Sequence, residues 1–139
     1  MDKQTKIDIS NFIKEELIKI AKKHSLDLFI LFGSRAKGTS KKNSDYDFAF
    51  IRKNKLSLKE KDNLENDIFK IIKYKDFDLI EISIKIPIIL KLEIFRTGIA
   101  LYYSNKKYYE YEKDNAYFDY VDSITLLEPT KEKFLSSSL

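Results

Sequence analysis

The chain has 139 residues, 43% of them hydrophobic and 35% charged, which is enough for one buried core and too little for two. With no cysteine and a single histidine it excludes disulfides, thiolate metal centres and a histidine-clustered zinc site, so oxygen is the remaining metal-ligand chemistry. No apolar run approaches the roughly 20 residues of a membrane span, the opening residues lack a secretory pattern, and a net charge of +4 is too modest to point to nucleic acid; one cytoplasmic domain over residues 1–139 is expected.

Residues 6–23 read as a helix, because Ile13, Leu17, Ile20 and Ala21 fall at i, i+4, i+7 and i+8 and form one apolar stripe. His24 ends it as a capping or surface residue near the negative helix end. The apolar run from Leu28 to Phe32 then closes on a glycine, the pattern of a buried central strand. Gly33 and Ser34 make a turn; Ser34 opens a short helix whose first N–H groups can face an anion, and Gly38 lets the chain turn away. Two of the three glycines in the chain lie in this stretch. Arg35, Lys37, Lys41 and Lys42 crowd the following loop with no acid among them. Alone that is a solvated surface, but beside a glycine-serine turn it suits a polyanion.

A second strand is expected over residues 45–51. Side chains alternate along a strand, so Asp45 and Asp47 project together while Tyr46 and Phe48 point the other way. Two adjacent carboxylates repel unless a cation lies between them, and a hard divalent ion such as magnesium also grips phosphate oxygens. Ser57 and Glu60 are spaced as a capping box ahead of a helix with Leu64, Ile68, Ile71 and Ile72 as its buried stripe. Residues 77–84 alternate as a third strand, with Asp78, Ile80, Ile82 and Ile84 on one face and Glu81 on the other, toward solvent. Pro87 opens a helix that Gly98 terminates, and residues 99–103 form a short strand. With strands separated by helical segments, the sheet is at least partly joined by crossovers. The core is therefore expected over residues 6–104. Residues 106–139 follow as a helix and a loose tail, the latter marked by Pro129 and the serines at 136–138. Tyr109, Tyr117, Tyr120, Val121 and Ile124 share a face of that helix, for packing or for partner docking, in a segment made acidic by Glu110, Glu112, Asp114, Asp119 and Asp122.

Gly33 and Ser34, ten further residues, then Asp45-Tyr46-Asp47 resembles the hallmark of the DNA polymerase β-type nucleotidyltransferase superfamily. The short length and spacer look like its smallest branch, the minimal nucleotidyltransferases (MNT). The resemblance runs from about Phe29 to Tyr103, including Glu93-Ile94 and the stretch Gly98-Ile99-Ala100-Leu101-Tyr102. It implies an α/β (α+β) fold, a small mixed β-sheet flanked by helices. It also implies a third carboxylate on a neighbouring strand, matched by Asp78 rather than by Asp76, which lies before the strand pattern. Asp45 and Asp47 would then bridge two Mg2+ ions about 3.5–4 Å apart, and Asp78 would complete the nucleophile side and serve as general base. Gly33 and Ser34 would hold the β- or γ-phosphate of ATP, with Arg35 or Lys37 offsetting charge on pyrophosphate. Many members of that branch are antitoxins paired with a HEPN-type ribonuclease toxin, and some transfer AMP to a toxin tyrosine. The resemblance thus implies a magnesium-dependent adenylyltransferase antitoxin. A non-catalytic antitoxin acting by binding alone, or a small-molecule nucleotidyltransferase, is the alternative; no membrane and no direct nucleic-acid partner is expected.

Overall fold

Five successive buried residues, Leu28–Phe32, make β1 the centre of the sheet. In the computed structural model, which describes residues 9–40 and 44–136 and side chains as far as Ile124, β1 lies between β2 (Tyr46–Ile51) and β4 (Ile99–Tyr103) and runs antiparallel to both. β3 (Phe77–Glu81) pairs parallel to β2 and forms one edge, so the strand order is β3-β2-β1-β4. Parallel pairing needs a crossover, and α3 (Leu58–Ile71) supplies it. The short α2 (Ser34–Lys37) bridges β1 and β2, while α1 (Asn11–Lys23) precedes the sheet. α4 (Ile88–Thr97) and α5 (Lys106–Ser136) flank β4 in sequence. This is the mixed, helix-flanked sheet expected from the sequence.

Alternation along the strands sorts the core into two layers. Phe29, Leu31, Tyr46, Phe48 and Phe50 pack with Leu17 and Ala21 of α1 and with Leu64 and Ile68 of α3. Phe29 and Phe48 stack there with ring centroids 5.3 Å apart. Leu28, Ile30, Phe32, Ala49 and Ile51 face the other way, onto Ile94 and Phe95 of α4 and Ala116 of α5.

The helix ends follow their local chemistry. The Ser10 hydroxyl accepts from the Ile13 N–H at 3.2 Å, so α1 begins at Asn11; the expected start at residue 6 falls outside the described residues. Ser57 and Glu60 complete the capping box, Pro87 opens α4 and Gly98 closes it. His24 caps α1, and its ring meets Asp67 of α3 at 2.7 Å, which ties the two helices of that layer together.

Three expectations change. β3 stops at Glu81, and Ile84 is 96% exposed. β2 has ended by then: the Ile82 N–H reaches the Phe50 carbonyl, and the chain turns through Ser83 to Ile86 with nothing left to pair with. α5 runs past Pro129 to Ser136, where a loose tail was expected; one proline removes one N–H from a long helix, while residues 137–139 lie outside the described residues. Finally, among the described side chains of α5 Ala116 is the one fully buried in the second layer, which turns Tyr117 outward to 57% exposure, whereas Tyr109 packs near Phe95 and stacks on Tyr103.

Candidate active site

The last residue of β1, Phe32, pairs in register with Asp47 of β2, so the chain leaves β1 directly beside that aspartate. Gly33 takes φ +77° and ψ −158°, a conformation that L side chains rarely adopt. A Cβ at this position would run into Asp47 Oδ2 and come within 3.1 Å of its Cγ. The carboxylate therefore lies against bare backbone, and only glycine leaves the space. Ser34 begins α2, Ala36 anchors that turn in the core, and Gly38 ends it in the left-handed region at φ +75°.

On the other side of Asp47, its register partner across the parallel ladder is Asp78. Both lie on the sheet face that carries Ala49 and Ile80. Burial raises the Asp47 carboxyl above its usual range, and the neighbouring charges of Asp78 and Asp45 and a hydrogen bond with Asp78 raise it further. Asp45 is exposed and sits one residue before β2; the strand expected to start there begins at Tyr46, whose N–H bonds to the Asp76 carbonyl at 3.1 Å. Across the sheet the order is thus glycine turn, Asp47, Asp78, with Asp45 within electrostatic reach.

The donor set is all oxygen, which suits magnesium. Among the described residues no three acidic or histidine side chains already stand at the spacing of a metal cage. That agrees with the raised Asp47 carboxyl, since Coulomb repulsion acts over a longer range than a metal–oxygen bond. Asp47 and Asp78 are register partners where a cation would lie, and Asp45 is exposed beside them.

Arg35 and Lys37 are placed differently from a pair of free phosphate ligands. Arg35 is buried, 7% exposed. Its Nε and Nη2 donate to the Ser44 carbonyl at 3.3 and 2.9 Å, and its guanidinium lies 4.0 Å from the centroid of the Tyr46 ring. It grips the residues on either side of Asp45. Lys37 forms a 3.2 Å ion pair with Glu93 of α4, which also receives Arg96 at 3.2 Å. The hydrogen bond from Lys37 holds the Glu93 carboxyl below its usual range. Lys41 and Lys42 lie outside the described residues. Tyr46 and Glu93 thus belong to the site's framework. The alternation of β2 marks Tyr46 as buried, but nothing in the sequence pairs Glu93 with Lys37.

A glycine turn packed against strand-borne carboxylates is the arrangement expected of a nucleotidyltransferase. The profile of the family described as "Polymerase beta, Nucleotidyltransferase" matches residues 15–107, more than half of the chain, and the chain belongs to that family. A search of curated protein sequences returned no significant match. Among solved structures, the fold is similar to a toxin–antitoxin crystallised with AMP-PNP, with a TM-score of 0.65 and 20% identity over 89% of this chain and 96% of that one. It is similar to a tri-AMPylated Shewanella oneidensis HEPN toxin in complex with MNT antitoxin, with a TM-score of 0.63 and 16% identity over 93% and 98%. The toxin–antitoxin MntA-HepT gives a TM-score of 0.63 and 17% identity over 92% and 97%. At these identities the likeness is one of fold.

Proposed function

We propose that the chain is an antitoxin that transfers AMP from magnesium-ATP to a hydroxyl, a tyrosine's, on a partner HEPN ribonuclease toxin. One observation carries this reading: Asp47 and Asp78 stand side by side, with Asp45 within electrostatic reach and the Asp47 carboxylate against the bare backbone of Gly33. The similar complexes, one holding AMP-PNP and one a tri-AMPylated toxin, support the donor and the acceptor. No described helix is long and apolar enough to cross a membrane, and an ATP-consuming reaction fits the cytoplasm.

The chain's groups divide into a donor side and an acceptor side. On the donor side, Gly33 admits the β- and γ-phosphates and Ser34 offers hydroxyl and amide donors to them. Lys37, at the end of the same short helix, neutralises departing pyrophosphate, a contact for which it leaves Glu93. Arg35 acts through Ser44 and Tyr46, holding Asp45 in place. Asp45, Asp47 and Asp78 would hold two Mg2+ ions, which when bound screen phosphate charge and polarise the reacting oxygens. Asp78 takes the proton of the acceptor hydroxyl. The acceptor oxygen bonds to the α-phosphorus as the bond to pyrophosphate breaks, and pyrophosphate leaves toward Gly33.

Incubation with α-labelled ATP, magnesium and the product of the adjacent reading frame is the direct test. Label on that product, lost with Asp47→Asn, is the expected result; no label on any protein defeats the reading. An Asp47→Ala chain that neutralises the toxin as well as wild type does would replace transfer with inhibition by binding alone.

A further inference from the structure

The donor and acceptor sides of Asp47 are unequal in what lies beyond them. Past Gly33 the sheet continues through β1 to β4, but past Asp78 it ends, because β3 is the edge strand. The Tyr46 N–H bonds to the Asp76 carbonyl and the Ile82 N–H to the Phe50 carbonyl. In a parallel ladder that pattern commits the even-numbered residues of β3 to β2 and directs the N–H and C=O groups of Phe77, Leu79 and Glu81 away from it. Among the described residues no strand covers this edge. Alongside it runs an open groove of about 450 Å³ between α3 and β3, with Phe69, Phe77 and Leu79 as its apolar wall and Glu65, Asn66 and Asp78 as its polar one. Phe69 is 36% exposed, with its ring 6.3 Å from that of Phe77. The groove opens on the α1–α3 face of the sheet; Asp78 borders it along the strand, while alternation sends its side chain to the face of Ile80.

In-line displacement sets the nucleophile opposite the leaving group. With pyrophosphate departing toward Gly33, the acceptor oxygen arrives from the Asp78 side, across the β3 edge. We propose that this edge and its groove are the acceptor subsite, and that it takes an extended segment of the acceptor protein as an added strand. Alternation in that strand then assigns two neighbouring residues. The one carrying the hydroxyl points to the Asp78 face, and the one next to it, a large apolar residue, points to the other face and fills the groove between Phe69 and Leu79. Main-chain bonds to Phe77, Leu79 and Glu81 set the register. The subsite thus recognises an apolar residue adjacent to the modified one. This inference rests on the transferase reading above and deepens it.

Two variants test it with the acceptor protein of the labelling experiment. Leu79→Pro removes an outward N–H without touching the β2–β3 ladder, since proline is tolerated where the N–H faces away from the sheet. Phe69→Ala opens the groove at a part-exposed position. Both are expected to raise the acceptor KM at least tenfold while magnesium-ATP affinity stays at the wild-type value, which also reports that they fold. A photo-cross-linking side chain at Phe69 should capture the acceptor segment, and one at Phe12 on α1, 63% exposed, should not. Wild-type acceptor KM in both variants, with no capture at Phe69, overturns the subsite and leaves the transferase reading standing. Wild-type protein that labels no acceptor overturns both. A dimer of the chain alone that Leu79→Pro dissolves overturns the subsite by assigning the edge to a second copy.

Discussion

Replacing Gly33 by alanine separates a backbone requirement of the site from general packing. The position has φ +77° and ψ −158°, a region open essentially to glycine, and holding another residue there costs about 1–3 kcal/mol. The new Cβ would collide with Asp47 Oδ2 and lie 3.3 Å from Asp47 Cβ. The carboxylate is the free end of a side chain and can swing aside, so the fold survives while the Asp47 oxygen moves. For a chain of this size about 1 kcal/mol shifts the melting midpoint by roughly 3 °C, so a drop of about 3–9 °C is expected. A displacement of about 1 Å at the reacting centre can cost roughly a hundredfold, and AMP transfer should fall by at least that. Gly98→Ala is the control. Its φ is ordinary, −78°, and its Cβ would meet the Ile94 carbonyl and Ile30, so it overpacks the second layer at a cost of about 1–3 kcal/mol away from the carboxylates. Thermal melts and single-turnover transfer on both variants complete the comparison. If Gly33→Ala keeps wild-type turnover, or loses no more than Gly98→Ala does, the close contact of backbone and Asp47 is not what the reaction needs.

Asp47→Asn should abolish transfer yet raise the melting midpoint in metal-free buffer at neutral pH. The folded chain holds the Asp47 proton more tightly than the usual value of 3.8, so this group's contribution is present below that pH and lost as pH rises through its folded value. For the same reason magnesium should raise the wild-type midpoint more at neutral pH than below pH 3.8, and a lower midpoint for the asparagine variant would contradict the repulsion. Arg35→Lys keeps a charge but loses the paired donors on Ser44 and the stack on Tyr46, so its transfer rate should fall as far as that of Arg35→Met; full activity with lysine would instead mean a purely ionic role. Asp67 is raised by burial, but the hydrogen bonds from Lys23 and His24 outweigh this and leave its carboxyl below 3.8. That stabilisation is present above pH 3.8 and lost as pH falls through the lower folded value, so Asp67→Asn should lower the midpoint at pH 7 and by less at pH 2.5. Equal losses at both pH values would assign the effect to packing.

The site's central features were legible because each rests on local rules. An unbroken apolar run closing on glycine marks β1 and its turn, and period-two alternation puts Asp47 and Asp78 on one face of their strands. The features that were hidden depend on distant parts of the chain. Within a basic loop all cations look alike, and only the fold places Arg35 over Tyr46, eleven residues later. Lys37 meets Glu93 because α4 packs across the sheet from another crossover, a fact that no spacing carries. β3 is shorter than its own pattern because a strand extends only as far as its partner, and β2 ends at Ile51. Tyr117 shares a helical face with Tyr109, but α5 meets the core at Ala116, so Tyr117 turns to water while Tyr120, Val121 and Ile124 stay half-buried.

An open strand margin that admits one guest is also exposed to every other chain in a crowded cell. Natural sheets deter such sticking with charged side chains along their rims, and this rim carries Asp76, Asp78 and Glu81. On the proposed mechanism Asp78 would serve twice, as base for the chemistry and as gatekeeper against self-assembly. Inactive versions made by neutralising it will be the ones most prone to precipitate, so loss of activity at this position has to be read from soluble material alone.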